Sequence, residues 1–175
     1  MEIMAFSEDK LKAFSEDKLK ELLKEIKKDE DILFSVGYYD KKNKNIREWE
    51  ILYPGVEGTL YEGGIFRIKV KLDNYPISAP QFYFKTKIYH LNVNWVKENS
   101  DGKACFGQSE VKDIVQLIRL LPAFFNIQNP DSSFYDKKVV QSYKDWKDGK
   151  SKEFENKVRD WINRYAGRVN LENDF

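Results

Sequence analysis

The sequence predicts an α+β domain: an N-terminal helix, a four-stranded antiparallel meander and a set of C-terminal helices. Four strand-like segments succeed one another with no helical period between them, which favours a meander over βαβ units. Helical spacing of apolar residues then returns in the last third of the chain. With 175 residues, of which 41% are hydrophobic, the chain is long and apolar enough for one domain with its own core.

The N-terminal part contains an identical repeat, in which AFSEDKLK at residues 5–12 recurs at residues 13–20. Two copies of eight residues are too short for a solenoid, so we interpret them as a tandem duplication. The stretch nevertheless favours a helix, because a serine N-cap followed by acids precedes an apolar stripe. We expect one amphipathic helix over about residues 15–28, extended by a turn or two from the first copy.

Four segments have the composition of strands, namely residues 32–39, 47–53, 65–72 and 81–85. The third is the clearest, since apolar residues at its even positions alternate with Ile65 and three basic residues at its odd positions. That alternation is typical of a half-buried antiparallel strand. Glycines and prolines between the segments mark turns and loops.

A long segment without any period follows the fourth strand, at residues 87–108. It contains His90, Asn92, Trp95 and Cys105. A loop of this length is uncommon in a compact domain and is usually functional. We therefore expect the functional site of the protein here.

Three helices are predicted after this loop from the spacing of apolar residues, at residues 111–125, 136–146 and 152–166. Pro122 is expected to strain or kink the last turn of the first of them. Gly167 is a natural cap for the last helix.

Composition excludes several classes of function. The 30 lysines and arginines balance the 29 aspartates and glutamates, whereas a domain that binds polyanions in bulk is strongly basic. A single cysteine cannot form an internal disulfide. One cysteine and one histidine are also too few for a Cys/His zinc site, unless carboxylates or a second chain complete it. No apolar run reaches the ~18 residues of a membrane span, and no signal peptide is visible. We expect a cytosolic or nuclear protein with no cofactor, no metal, and no nucleic-acid or membrane partner.

Cys105 is the single thiol of the chain. A free cysteine is most often a small buried apolar residue, but this one follows Asp101 and Gly102 in a polar loop, where a partly exposed nucleophile would be placed. His90 is the only imidazole that could serve as its base, and a lone histidine with apolar neighbours indicates a structural role. Because no third, orienting residue is present, a papain-like cysteine hydrolase is not favoured.

Five short motifs occur in a fixed order along the chain: YEGGIF at 61–66, NYPISAP at 74–80, TKIYHLN at 86–92, DGKAC at 101–105 and NPD at 129–131. Their order resembles the ubiquitin-conjugating enzyme family, whose pattern runs YxGGxF, YPxxPP, TxIYHPN, GxxC and NPxxP. Trp49 in the second strand adds to the likeness, which covers nearly all of residues 18–167. The resemblance implies the ubiquitin-conjugating fold, with the active-site loop between the sheet and the C-terminal helices.

The resemblance also implies a chemistry. Cys105 would accept the C-terminal acyl group of ubiquitin, or of a relative, as a thioester from an activating enzyme and pass it to a substrate lysine or a ligase. The amide of Asn92 would stabilise the developing oxyanion or hold the loop in shape. Ser132 and the adjacent Asp131 fall where the family carries a residue that orients the incoming lysine.

Partner contacts are implied in the same way. Ile77 and Pro80, with Lys18 and Lys20 of the N-terminal helix, match surfaces that contact the activating enzyme and ligases. The expected partners are ubiquitin or a ubiquitin-like protein, the activating enzyme, a ligase and the substrate protein. The expected catalytic domain spans residues 15–167, preceded by an extension at 1–14 and followed by a tail at 168–175 that we expect to be frayed.

The chain departs from the family pattern near the nucleophile. Leu91 stands where the pattern has proline, and residues 95–100 look like an insertion, because Cys105 lies 13 positions after Asn92. Phe106 and Gly107 replace the usual leucine and acid, and the loop before the next helix is short. These changes leave two alternatives to an enzyme open: a non-catalytic module of the same fold, used for binding or scaffolding, and an unrelated α+β interaction domain.

Overall fold

The structure, a computed structural model, describes residues 8–29, 34–95, 100–106, 113–126, 128–130 and 137–167, with side chains from residue 16 onward. Its elements are α1 Glu8–Lys28, β1 Ser35–Tyr38, β2 Glu48–Pro54, β3 Ile65–Lys71, β4 Gln81–Phe84, α2 Ile114–Arg119, α3 Leu121–Asn126, α4 Lys137–Lys147 and α5 Glu153–Trp161, continued by a π-helical turn Ile162–Ala166. The predicted α+β class, with its helix, meander and helices, is confirmed.

The four strands form one antiparallel sheet in the order β1-β2-β3-β4. The predicted alternation of β3 is confirmed, since its even residues are buried and its odd residues are exposed or half-buried. The register pairs Ile51 with Ile68 and Val70 with Phe82, so that inward-facing residues of neighbouring strands lie side by side. One face of the sheet therefore forms the floor of the core.

α1 covers part of this fold with the apolar stripe that its spacing predicted. Leu19, Leu23 and Ile26 are buried, and Leu22 is partly buried against the core. The helix begins at Glu8, so the first copy of the repeat contributes the expected extra turns. The last turn carries Lys27 and Lys28, where positive charge favours the helix C-terminus.

The first helix after the long loop of residues 87–108 differs from its prediction. Instead of one helix over residues 111–125, the chain forms α2 and α3, separated at Leu120. Pro122 therefore lies in the first turn of α3, where its missing N–H has no intrahelical partner to lose. The expectation of a strained last turn is wrong for that reason. α2 begins after Asp113, whose carboxylate accepts a hydrogen bond from the backbone of Gln116.

A cluster of aromatic rings joins the sheet to α3. Phe66 and Phe84 of the sheet contact Phe125, with ring centroids 5.2 and 5.9 Å apart, and Tyr61 contacts the same ring at 5.5 Å. Such ring pairs add to the burial of apolar surface that stabilises the core. The cluster joins α3 to the strands that precede the long loop of residues 87–108. Within the described residues, no helix has the length and apolar character needed to cross a bilayer.

Candidate active site

The segment predicted to lack regular structure forms a narrow β-ribbon beside β4. Residues 102–105 run along β4, where the N–H of Ala104 donates to the carbonyl of Phe82 at 2.8 Å and the N–H of Phe84 donates to that of Gly102 at 2.8 Å. Residues 92–94 then pair with residues 102–105 on the other side. We call these two segments the site ribbon. The ribbon thus continues the sheet beyond β4, and Cys105 is its last residue.

The pairing within the site ribbon brings Cys105 next to Asn92. The N–H of Asn94 donates to Lys103 O at 2.9 Å, and the N–H of Cys105 donates to Asn92 O at 2.8 Å. Two residues that are 13 positions apart in the sequence thus become hydrogen-bonded neighbours. Of the insertion expected at residues 95–100, residues 96–99 lie outside the described part of the chain.

Gly102 occupies a position of the site ribbon that only glycine can fill. Its φ is +76°, and a Cβ there would lie 2.1 Å from Phe84 O and 2.8 Å from the ring of Trp95. The indole of Trp95 is held in place because its Nε1 donates to Phe84 O at 3.1 Å. The ribbon, the last strand and this tryptophan are therefore packed together with no room for a side chain at residue 102.

Cys105 carries a free thiol and is partly exposed. The next residue, Phe106, is half-buried, and its ring centroid lies 5.0 Å from that of Phe82 and 4.7 Å from that of Phe124. The ribbon on one side and this aromatic contact on the other hold the backbone on both sides of the thiol. Cys105 thus combines a fixed backbone with partial exposure.

His90 is fully buried and has the structural role that the apolar residues beside it in the sequence indicate. Its Nδ1 accepts from the N–H of Asn92 at 2.9 Å, so its Nε2–H donates to Phe124 O, also at 2.9 Å. The ring also stacks on Phe124 at a centroid distance of 4.5 Å. Burial lowers the pKa of His90 from 6.5 to about 3, although the bond to Phe124 opposes the shift. A neutral imidazole with both nitrogens engaged is not placed to act as a base for Cys105.

Asn92 is buried, and its side chain bonds the segment that carries the NP motif. Its Oδ1 accepts from the N–H of Asn129 at 2.9 Å, and its Nδ2 lies 3.5 Å from Asn129 O. Of the two roles implied by the resemblance, holding the loop in shape corresponds to these contacts. Its role toward an oxyanion stays a prediction.

Gln128 is a residue of this site that the sequence reasoning missed. It is buried, its Oε1 accepts from the N–H of Leu91 at 2.9 Å, and its Nε2 donates to the hydroxyl of Tyr61 at 2.8 Å. Tyr61 in turn donates to Tyr89 O at 2.8 Å, and burial raises its pKa well above 10. The signal in the sequence was Leu91, because a leucine in place of proline introduces an N–H that must be satisfied when buried.

The residues predicted to contact partners divide into two groups. Ile77 is 84% exposed, and Lys18 and Lys20 are exposed on α1, where they form ion pairs of 2.8 and 3.0 Å with Glu21 and Asp17. Pro80, in contrast, is buried directly before β4, so its side chain is not exposed as that of Ile77 is. The predicted gate residues 131 and 132 lie outside the described residues.

Metal ligands are not grouped in the part of the chain that the structure describes: no three His, Cys, Asp or Glu residues there could hold an ion together.

Comparison with known proteins agrees with the geometry. A model of the family "Ubiquitin-conjugating enzyme" matches residues 18–162. The chain is 42% identical over 74 residues to "Probable ubiquitin-conjugating enzyme E2 31" of Arabidopsis thaliana, covering 42% of this chain and 43% of that protein. It is 44% identical over 84 residues to "Ubiquitin-conjugating enzyme E2 15" of Schizosaccharomyces pombe, covering 47% and 46%.

A longer match links the chain to "Ubiquitin-conjugating enzyme E2-24 kDa" of Saccharomyces cerevisiae, with 24% identity over 151 residues, 82% of this chain and 65% of that protein. The matches to the two preceding relatives each span less than half of their length. The likeness therefore reaches most of this chain, with its strongest identity confined to about half of it.

Proposed function

The chain belongs to the ubiquitin-conjugating enzyme family, and from that premise we propose that Cys105 carries ubiquitin, or a ubiquitin-like protein, as a thioester. The protein receives this acyl group from an activating enzyme, which uses ATP, and passes it to a lysine of a substrate, with a ligase as the usual third partner. The observation that carries the proposal is the placement of the single thiol, partly exposed and hydrogen-bonded through its backbone to Asn92.

Charging exchanges one thioester for another. The Sγ of Cys105 attacks the thioester carbonyl of the modifier, a new C–S bond forms, and the C–S bond to the activating enzyme breaks. The proton of the Cys105 thiol ends on the released thiol. No redox change occurs, so the site needs no electron-transfer group.

Discharge forms an isopeptide bond. The lysine amine attacks the carbonyl held by Cys105, a C–N bond forms, the C–S bond breaks, and the nitrogen loses a proton that restores the cysteine thiol. Because the acyl group is already activated, the enzyme contributes mainly the position of the two reactants. This fits a site whose only histidine is buried, neutral and fully hydrogen-bonded.

The non-catalytic alternative gains no support. The matched family and the named relatives are conjugating enzymes, and the thiol and the buried amide are both present in a formed ribbon. Asp131 and Ser132 are proposed to orient the incoming lysine, and Ile77 with α1 to meet the activating enzyme and ligases. We also propose a cytosolic or nuclear setting.

The proposal is tested by charging in vitro. The protein is incubated with ATP and a panel of modifiers, each paired with its own activating enzyme, and the products are separated with and without reducing agent. We expect a thiol-labile adduct with at least one modifier. Cys105→Ser should give a reductant-stable oxyester or no adduct, and Cys105→Ala none. Absence of an adduct with every modifier in the panel would overturn the enzyme proposal.

The role of Asn92 is tested by two variants that differ in what they retain. Asn92→Ala removes both amide atoms, and we expect it to be charged but to discharge to free lysine about 10- to 100-fold more slowly. Asn92→Asp retains an oxygen that accepts from Asn129 but has no donor for an oxyanion. Near-normal single-turnover discharge by Asn92→Asp would assign a loop-holding role through the bond from the N–H of Asn129, whereas slow discharge would show that the Nδ2 donor is required, toward an oxyanion or toward Asn129 O. A normal rate for Asn92→Ala excludes both.

A further inference from the structure

A buried hydrogen-bond network, which we call the circuit, runs from the N–H of Leu91 through the amide of Gln128 and the hydroxyl of Tyr61 to the carbonyl of Tyr89. It connects the YEGGIF segment with the residues just before Asn92. Leu91 is 2% exposed, and its N–H meets the Oε1 of Gln128 at 2.9 Å. Because an N–H only donates, the oxygen of the Gln128 amide must face Leu91, and its NH₂ group must face Tyr61. Tyr61 accepts that bond and gives its own proton to Tyr89 O. These four groups thus form a directed chain of hydrogen bonds.

The circuit matters for the site because of what adjoins it. Gln128 and Asn129 hold two consecutive residues of the opposite segment: Gln128 accepts from Leu91, and Asn129 donates to Asn92. The carbonyl of Asn92 then accepts from the N–H of Cys105. The position of the nucleophile relative to the Asn92 amide therefore depends on a contact that begins at Gln128.

We infer that Gln128 is a positioning residue, which accommodates the N–H that Leu91 introduces and thereby sets Asn92 and Cys105 in register for discharge. Proline, which the family pattern has at this position, lacks an N–H and would need no such acceptor. A leucine at the same buried place requires one, since an unpaired backbone N–H that is buried away from water costs free energy comparable to a lost hydrogen bond. The side chain of Gln128 supplies it. This inference rests on the proposed function of Cys105.

A double-mutant cycle tests the pairing. Gln128→Met keeps the length of the side chain but removes the acceptor, and Leu91→Pro removes the donor. We expect Gln128→Met to be charged nearly normally and to discharge to free lysine on the order of tenfold more slowly. In the Leu91→Pro background the same change should have less than about a threefold effect. The exposed Gln116→Met serves as the matched control and should discharge like the wild type.

A second control separates the two ends of the amide. Tyr61→Phe removes the partner of Nε2 and leaves the Oε1 contact with Leu91 in place, so its effect should not be relieved by Leu91→Pro. If Gln128→Met discharges at the wild-type rate, or is equally slow in both backgrounds, the positioning role is overturned. A loss of packing alone would persist in the Leu91→Pro background, so relief by Leu91→Pro is the readout that a structural role would not produce.

Amide exchange keeps the test independent of charging and of the folding of Leu91→Pro. In the wild type the Leu91 N–H should be protected against hydrogen exchange, and in Gln128→Met that protection should fall at least about tenfold more than at the core amides of β3. Unchanged protection overturns the pairing itself. If the wild type forms no thioester with any modifier, the proposed function and the positioning role both fail, and the exchange result still shows whether the pairing exists.

Discussion

The sheet core and the site ribbon are adjacent but are held together by different interactions. The inner face of β2 and β3 is stabilised by large apolar side chains such as Trp49, Phe66 and Ile68, all fully buried. The site ribbon contains short segments held by backbone hydrogen bonds, a glycine without room for a Cβ, and the amides of Asn92 and Gln128. Changes in the sheet should therefore act mainly on stability, whereas changes in the ribbon should also alter the geometry of the thiol.

The largest expected effect on stability comes from the sheet. Phe66→Ala removes a fully buried ring that contacts Tyr61, Phe84 and Phe125, and we expect it to lower the free energy of unfolding by about 3–5 kcal/mol. Its neighbour Ile65 faces the other side of the sheet, so Ile65→Ala serves as the control and should cost less than about 2 kcal/mol.

Urea unfolding measures the stability of both variants. Single-turnover discharge, at a low temperature where the variants stay folded, measures the transfer rate of the folded protein. If the two regions are separable, folded Phe66→Ala should discharge its thioester at a rate close to that of the wild type. If folded Phe66→Ala discharged more slowly than a ribbon variant, the sheet core and the site ribbon would not be separable.

The second largest effect on stability is expected from Gly102→Ala in the site ribbon. Its Cβ would overlap Phe84 O and the Trp95 ring, so we expect a loss of about 2–4 kcal/mol together with defective discharge. Gly149 provides a matched control, because its φ is +70° but a Cβ there would meet nothing within 4 Å. Gly149→Ala should cost only the backbone strain, about 1–2 kcal/mol, and discharge normally. Equal effects at the two glycines would show that the close packing of the ribbon is unimportant.

A smaller effect is expected from pH, through His90. Since burial lowers its folded pKa from 6.5 to about 3, the unfolded chain binds a proton that the folded chain does not bind between these values. The contribution of His90 to stability is complete above pH ~6.5 and is lost as the pH falls toward 3, by about 1.4 kcal/mol per pH unit. At pH 5 the loss should be about 2 kcal/mol.

Urea unfolding at pH 7 and pH 5 checks this value. His90→Gln has no imidazole to titrate, so its stability should fall less between the two pH values than that of the wild type. An identical fall in both proteins would show that His90 is protonated without cost and that its burial between Asn92 and Phe124 is not maintained.

The regular elements could be predicted because their determinants are local. The period of β3 and the apolar stripe of α1 lie within single segments, and the structure follows both. The boundary between α2 and α3 was missed, since Pro122 suits a first turn as well as it disturbs a last one, and only packing against the sheet decides between them.

The sequence by itself determined the class of the fold, the family pattern and the single thiol, because motifs, periodicity and residue counts can be read along the chain without knowing which distant segments meet. Tertiary structure alone decided that residues 92–94 pair with residues 102–105, that His90 is buried and neutral, that Pro80 is buried, and that Gln128 meets Leu91. These features depend on contacts between segments distant in the chain, where the partner of a buried N–H or the exposure of a proline is set by what the fold brings beside it.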